Sequence, residues 1–169
     1  MITRFIHQLW SCAARAALLP IAAALALLPS AAPAHAQAQR TALAGTETES
    51  FDFSTITRTW AAGPFTLDRD NSISGTFNFG ALAGTMTAVF NDRFDGSTGD
   101  GHVWGTWTYT ATSGLVCSGQ GNGKTTGFFL TAQIVALCSD GSLLRGTEQT
   151  VSFSFDEVVS TFQGELLTP

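Results

Sequence analysis

A strict alternation of side chains over residues 128–138 constrains the fold of this chain more than any other feature. Successive side chains of a β-strand point to opposite faces, so apolar residues at every second position predict a strand with one buried face. We expect Leu130 and Ile134 to point into the main core. The opposite face also carries Phe129, Val135 and Leu137, which predicts a central strand that is covered in part on both sides. The alternating positions are Phe128, Leu130, Ala132, Ile134, Ala136 and Cys138.

Shorter alternations of the same kind recur along the chain and are separated by turn residues. The sequences Asp68-Arg69-Asp70-Asn71 and Ser139-Asp140-Gly141 are typical of turns. Residues 91–101 and 118–127 are polar or glycine-rich, and we expect loops there. No window after residue 38 has convincing helical spacing. Strands are predicted near residues 51–60, 65–67, 73–79, 86–90, 102–112, 115–117, 128–138, 142–155 and 158–167.

These strands and their short connections predict an all-β fold, a single antiparallel meander of about eight strands. A closed β-barrel and a two-layer β-sandwich both satisfy this pattern. The closed barrel is favoured because nearly all connections are local hairpins, whereas a sandwich would use some long crossovers. Glycines inside the predicted strands also fit the tight bends of a barrel. They are Gly75, Gly105, Gly146 and Gly164.

The first 36 residues have the order of features that marks a secretory signal peptide. Arg4 and Arg15 give a positive start, an apolar run covers residues 16–28, and Ala34-His35-Ala36 is a small-x-small cleavage site. We therefore expect a secreted or periplasmic protein that begins at Gln37, with Gln39 as the alternative. Residues 37–49 have no periodicity and predict a flexible N-terminal segment. The β-domain would then span residues 50–169.

The charge pattern excludes several classes of partner. Loss of Arg4 and Arg15 takes the formal net charge from −5 to −7, and Lys124 is the only lysine of the chain. An acidic chain without a basic patch is a poor binder of nucleic acids, because it cannot neutralise phosphates. The second face of most predicted strands carries Thr, Ser and Asn instead of a lipid-facing apolar band, so membrane insertion is not expected.

The predicted mature chain keeps two cysteines, Cys117 and Cys138, since Cys12 lies in the signal peptide. Two cysteines in an exported protein most often form one disulfide, so we expect these two to be joined. Because residues 118–127 are expected as a loop, the bridge is not expected to lie directly across one hairpin.

Two groups of residues are candidates for a binding site. Trp104, Trp107 and Tyr109 lie on one predicted strand, where aromatic rings line apolar cavities or stack on sugars, although they also commonly fill cores. Asp92, Asp95 and Asp100 are candidate ligands of a hard metal ion such as calcium, although a flexible turn explains them equally simply. His102 is the only histidine after residue 36. No catalytic residues are assigned, and no cofactor is expected.

These observations favour a non-enzymatic binding module that holds a small apolar molecule or a glycan. The excess of Phe and Trp supports this hypothesis. A structural or adhesive protein of the cell envelope is the first alternative, because the surface composition is rich in Thr and Gly. A cyclase-type barrel enzyme with a shaped apolar cavity is the second alternative. The sequence makes no prediction of the oligomeric state.

Overall fold

The computed structural model describes residues 38–154 and 156–169. The predicted signal peptide lies outside the described residues. The described chain forms nine β-strands and one short 3₁₀ turn at Phe53–Thr55. The strands are β1 (Gln39–Asp52), β2 (Arg58–Ala62), β3 (Phe65–Asn78), β4 (Ala83–Asp95), β5 (Gly101–Ala111), β6 (Val116–Thr126), β7 (Phe129–Cys138), β8 (Leu143–Phe153) and β9 (Val158–Thr168).

The strands form a closed antiparallel barrel of eight strands with one strand outside it. Each strand from β3 to β9 pairs with the next along the chain. The strand β1 closes the barrel, because it pairs with β9 through residues 39–49 and with β3 through residues 46–52. The strand β2 pairs only with the first part of β3 and lies outside the ring. The prediction of a closed antiparallel barrel is confirmed.

The alternation in β7 gives the expected inner face. Ile134 is fully buried, and Ala132, Ala136 and Cys138 are buried beside it. Leu130 also points inward but is only half-buried. The opposite face differs from the prediction: Val135 and Leu137 are exposed at 51% and 64%, so the barrel leaves that face of β7 uncovered.

Three segments that were expected as flexible or as loops belong to strands instead. Residues 39–49 are part of β1, where two inward positions carry glutamates and break the apolar alternation that marks a strand. Residues 118–126 are part of β6, where three successive inward positions are glycines. Residues 91–95 extend β4, and only residues 96–100 connect it to β5.

The segment Asp68-Arg69-Asp70-Asn71 is also part of a strand. The pairing of β3 with β4 shifts register between Asp68 and Asn71, and Asp70 has a φ of 58°. This geometry is a β-bulge, which accommodates the turn-forming residues within a continuous strand. The bulge bends β3 between the part that pairs with β2 and the part that belongs to the barrel.

One end of the barrel, which we call the disulfide end, is filled by packed side chains. Cys117 and Cys138 form a disulfide there and lie directly opposite each other on β6 and β7. The predicted disulfide is confirmed, but the expectation that it would not bridge a single hairpin is wrong, because β6 extends to the turn at residues 127–128. The rings of Phe79 and Phe162 stack with centroids 4.2 Å apart. A Cβ atom at Gly146 would lie 2.3 Å from the ring of Phe162, so glycine makes room for this ring.

Candidate ligand-binding cavity

The opposite end of the barrel, which we call the cavity end, is not filled by side chains. It contains a partly enclosed cavity of about 320 Å³ between the ends of strands β1 and β3–β9. Drug-sized ligands occupy pockets of about 300 to 1,000 Å³, so this cavity has the size for one small molecule. The aromatic residues of its lining are Phe51, Phe53, Phe90, Phe94, Trp107, Phe128 and Phe153.

Trp107 is a central element of the cavity wall. Its side chain is buried, with 3% exposure, and its ring stacks on Phe90 with centroids 6.4 Å apart. The neighbouring strand makes room for the indole: a Cβ atom at Gly121 would lie 2.7 Å from the Trp107 ring and 2.8 Å from Ile134. The indole ring therefore packs closely against Gly121 of β6 in the barrel interior.

The other two aromatic candidates do not contact the cavity. Tyr109 points inward but lies deeper, fully buried, where its ring meets Phe77 and Phe79 edge-on at centroid distances of 5.3 and 5.7 Å. Trp104 has the opposite parity on β5 and lies beside the ring of His102, with centroids 5.5 Å apart. Of the three residues singled out, the structure brings only Trp107 to the cavity.

The three candidate metal ligands do not come together. Asp92 is buried and lines the cavity. Asp95 lies at the end of β4 and accepts hydrogen bonds from the backbone N–H and hydroxyl of Ser97. Asp100 is exposed and accepts a hydrogen bond from the backbone N–H of Gly127. This bond joins the β4–β5 turn to the β6–β7 turn. Asp95 and Asp100 thus have roles within the turns at the cavity end.

The environment of Asp92 changes its acidity. Burial, followed by the negative charge of Asp68, raises the pKa of Asp92 to about 7, although a hydrogen bond with Asn71 acts in the opposite direction. Both Asp68 and Asn71 also line the cavity. One side of the cavity therefore carries a carboxyl group that changes its charge near neutral pH.

Three buried glutamates form a cluster at the inner side of the cavity. Glu47 and Glu49 come from β1 and Glu148 from β8, with exposures of 0%, 5% and 1%. One carboxylate oxygen from each lies within 4.8 Å of the others. Glu49 and Glu148 line the cavity, and Glu47 lies beside them, where its Oε1 accepts a hydrogen bond of 3.2 Å from the Tyr109 hydroxyl.

Burial is the largest cause of the raised pKa values of the three glutamates. Together with the charges of Glu148 and Glu49, it raises the pKa of Glu47 well above its ordinary value. Burial also raises the pKa of Glu49, against a hydrogen bond with Glu47 that lowers it. Burial and the charge of Glu49 raise the pKa of Glu148 to about 8, although a hydrogen bond with Ser160 opposes this. These shifts favour neutral carboxyl groups in the empty barrel.

The glutamate cluster was missed in the sequence because its residues lie far apart along the chain. The alternation of inward and outward positions along β1 could have revealed it. Leu43, Gly45, Glu47, Glu49 and Phe51 occupy alternate positions, so a strand that buries Leu43 and Phe51 must also bury both glutamates.

No protein-family model, curated protein or solved structure matches the chain. Function must therefore be inferred from the cavity itself. The part of the chain described here also contains no helix with the length and apolar character needed to cross a membrane.

Proposed function

We propose that this protein is exported and binds one small, largely apolar molecule inside its barrel. The observation that carries the proposal is the contrast between the two ends of the barrel. At the disulfide end, rings such as Phe79 and Phe162 fill the interior. At the cavity end, rings surround a cavity of about 320 Å³. Concave sites lined by aromatic side chains with a few polar groups are the usual form of small-molecule sites.

The composition of the lining favours an apolar molecule over a glycan. A glycan presents many hydroxyl groups that need donors and acceptors, whereas most of the wall is formed by apolar side chains. The position of Trp107 within this wall supports direct contact with the bound molecule. The disulfide Cys117–Cys138 supports export, because disulfides persist mainly in oxidising compartments.

Binding can be tested with N-phenyl-1-naphthylamine, a neutral aromatic probe whose fluorescence rises in apolar surroundings. We expect saturable binding at one site per protein. Leu130→Trp should abolish or strongly weaken it, because Leu130 lines the cavity and a larger side chain would occupy part of its volume.

The matched control is Leu137→Trp, the same change on the same strand at a position that is 64% exposed on the outer face. This variant should bind the probe as the unmodified protein does. If both variants bind equally well, or if the unmodified protein does not bind, the cavity is not a binding site for apolar molecules.

A further inference from the structure

The cavity lining contains several buried polar atoms that have no hydrogen-bond partner. Glu49 Oε1 and Glu148 Oε2 have no hydrogen-bond partner, although both side chains are at least nine-tenths buried. Asn71 Oδ1 and Asp92 Oδ1 are unpartnered in the same lining. A buried polar atom without a partner is unfavourable, so four unpartnered oxygens that can accept, beside the unpartnered hydroxyl of Thr125, favour a ligand that can donate hydrogen bonds.

No positive charge of the described chain reaches these carboxyl groups. The ion pairs of the described residues join Arg40 and Arg145 to Glu165. Neither arginine lines the cavity, and within residues 38–154 and 156–169 the cavity has no lysine or arginine in its lining. Buried carboxylates are usually paired with a cation or neutralised by a proton. The raised pKa values of the glutamates favour the protonated form, and a bound cation would take the place of a proton.

The cavity also determines what kind of cation fits. Phe51, Phe90 and Trp107 form apolar walls next to the glutamates, and aromatic faces attract organic cations. A divalent metal ion needs several oxygen ligands around it, commonly six to eight for calcium. Such an ion would leave the aromatic part of the cavity unfilled. An organic molecule with an apolar body and a charged head would use both parts.

We infer that the ligand is an organic amine, whose protonated amino group binds Glu49 and Glu148 while its apolar body fills the aromatic cavity. This inference rests on the proposed function, since it requires the cavity to be the binding site. A primary ammonium group has three N–H donors, which match the unpartnered oxygens of the two glutamates and leave a third bond for Glu47, whose Oε2 is also unpartnered.

The titration of the site agrees with this geometry. The raised pKa of Glu148, about 8, favours a neutral carboxyl at pH 7, and a bound ammonium group would favour its ionised form. Amine affinity should therefore rise from pH 6 to pH 8. The titratable groups that face this region are Glu47 and Glu49 of β1, Asp68 of β3, Asp92 of β4, His102 and Tyr109 of β5, and Glu148 of β8.

Three compounds of the same shape and different charge test the inference: 4-phenylbutylamine, 4-phenylbutan-1-ol and 4-phenylbutanoate. Isothermal titration calorimetry on the purified protein with its disulfide intact would give the three affinities at pH 7. We expect the amine to bind about ten-fold or more tightly than the alcohol, as charge-assisted hydrogen bonds allow. The carboxylate should bind most weakly, because its charge would lose its hydration in a cavity whose described lining has no lysine or arginine to compensate it.

The outcomes separate the inference from the proposed function. Equal binding of amine and alcohol would overturn the amine inference and leave an apolar binding site. Binding of none of the three, together with no binding of N-phenyl-1-naphthylamine, would overturn the proposed function. Displacement of the amine by millimolar calcium chloride, with sodium chloride at the same ionic strength as control, would assign the glutamates to a metal ion instead.

Glu148→Gln locates the amino group. This variant keeps the shape of the side chain and should lower amine affinity about ten-fold while alcohol affinity stays within about two-fold. Glu49→Gln should act in the same way and serves if the first variant fails to fold. Glu165→Gln is the matched control, since Glu165 binds arginines outside the cavity and should affect neither ligand. An unchanged amine preference in both cavity variants would overturn the inference.

Discussion

The buried glutamates should make this protein less stable as the pH rises from 5 to 8. Glu148 has an ordinary pKa of 4.5 and a pKa of about 8 in the folded barrel. A carboxyl with a raised folded pKa binds its proton more tightly in the folded state. The stabilisation is thus fully present below pH 4.5 and is lost as the pH rises through 8.

The magnitude follows from the two pKa values of Glu148. One group contributes a slope of at most about 1.4 kcal/mol per pH unit between them, which sums to an upper limit of about 5 kcal/mol. Asp92, with a pKa raised to about 7, and the glutamates Glu47 and Glu49 act in the same direction. Total stabilities of small domains are about 5–15 kcal/mol, so the effect is a large fraction of the whole.

Urea unfolding followed by tryptophan fluorescence at pH 5, 6, 7 and 8 would measure this slope. The free energy of unfolding should fall steadily over the series. Glu148→Gln should flatten the fall, because the amide does not titrate, whereas Glu165→Gln on the outer surface should keep it. A free energy of unfolding that is equal or higher at pH 8 than at pH 5 would refute the argument that these carboxyl groups are buried without a compensating charge.

Three further predictions concern the fold and its processing. Ile134→Ala should destabilise the barrel by about 2–5 kcal/mol, and Val135→Ala on the outer face by less than about 0.5 kcal/mol. A cost under about 0.5 kcal/mol for Ile134→Ala in urea unfolding would mean that β7 faces the other way. Thiol counting on denatured, unreduced protein should find no free thiol in the mature chain, and two free thiols would exclude the disulfide. N-terminal sequencing of the exported protein should begin at Gln37 or Gln39, and a full-length chain retained in the cytoplasm would contradict export.

The sequence predicts the barrel well where the inward positions are apolar. In β7 the alternation from Leu130 to Cys138 gives the strand and its buried face, because each inward side chain is apolar. In β6 the inward positions between Cys117 and Thr125 are Gly119, Gly121 and Gly123. Glycines at these positions suggest a loop. In the structure, Gly121 instead leaves room for the ring of Trp107 on the neighbouring strand.

The candidate site was harder to predict, for a physical reason. Polar residues of a site interrupt the apolar alternation by which a strand is recognised in a sequence. Because Glu47 and Glu49 interrupt it in β1, this strand was not predicted. Their partner Glu148 is about one hundred residues away along the chain and joins them only through closure of β1 onto β9 and β9 onto β8. Trp107 could be identified because it lies at an inward position of its strand. An aromatic residue that lines a cavity follows the same alternation as one that fills a core.

A crystal structure of the protein soaked with 4-phenylbutylamine would test the central claim most directly. We expect one molecule inside the cavity, with its ring against Phe90 and Trp107. Its nitrogen should lie within hydrogen-bond distance, about 2.7–3.2 Å, of a carboxylate oxygen of Glu49 or Glu148. An empty cavity at saturating amine, or amine bound only on the outer surface of the barrel, would contradict both the binding site and the ligand class that we propose.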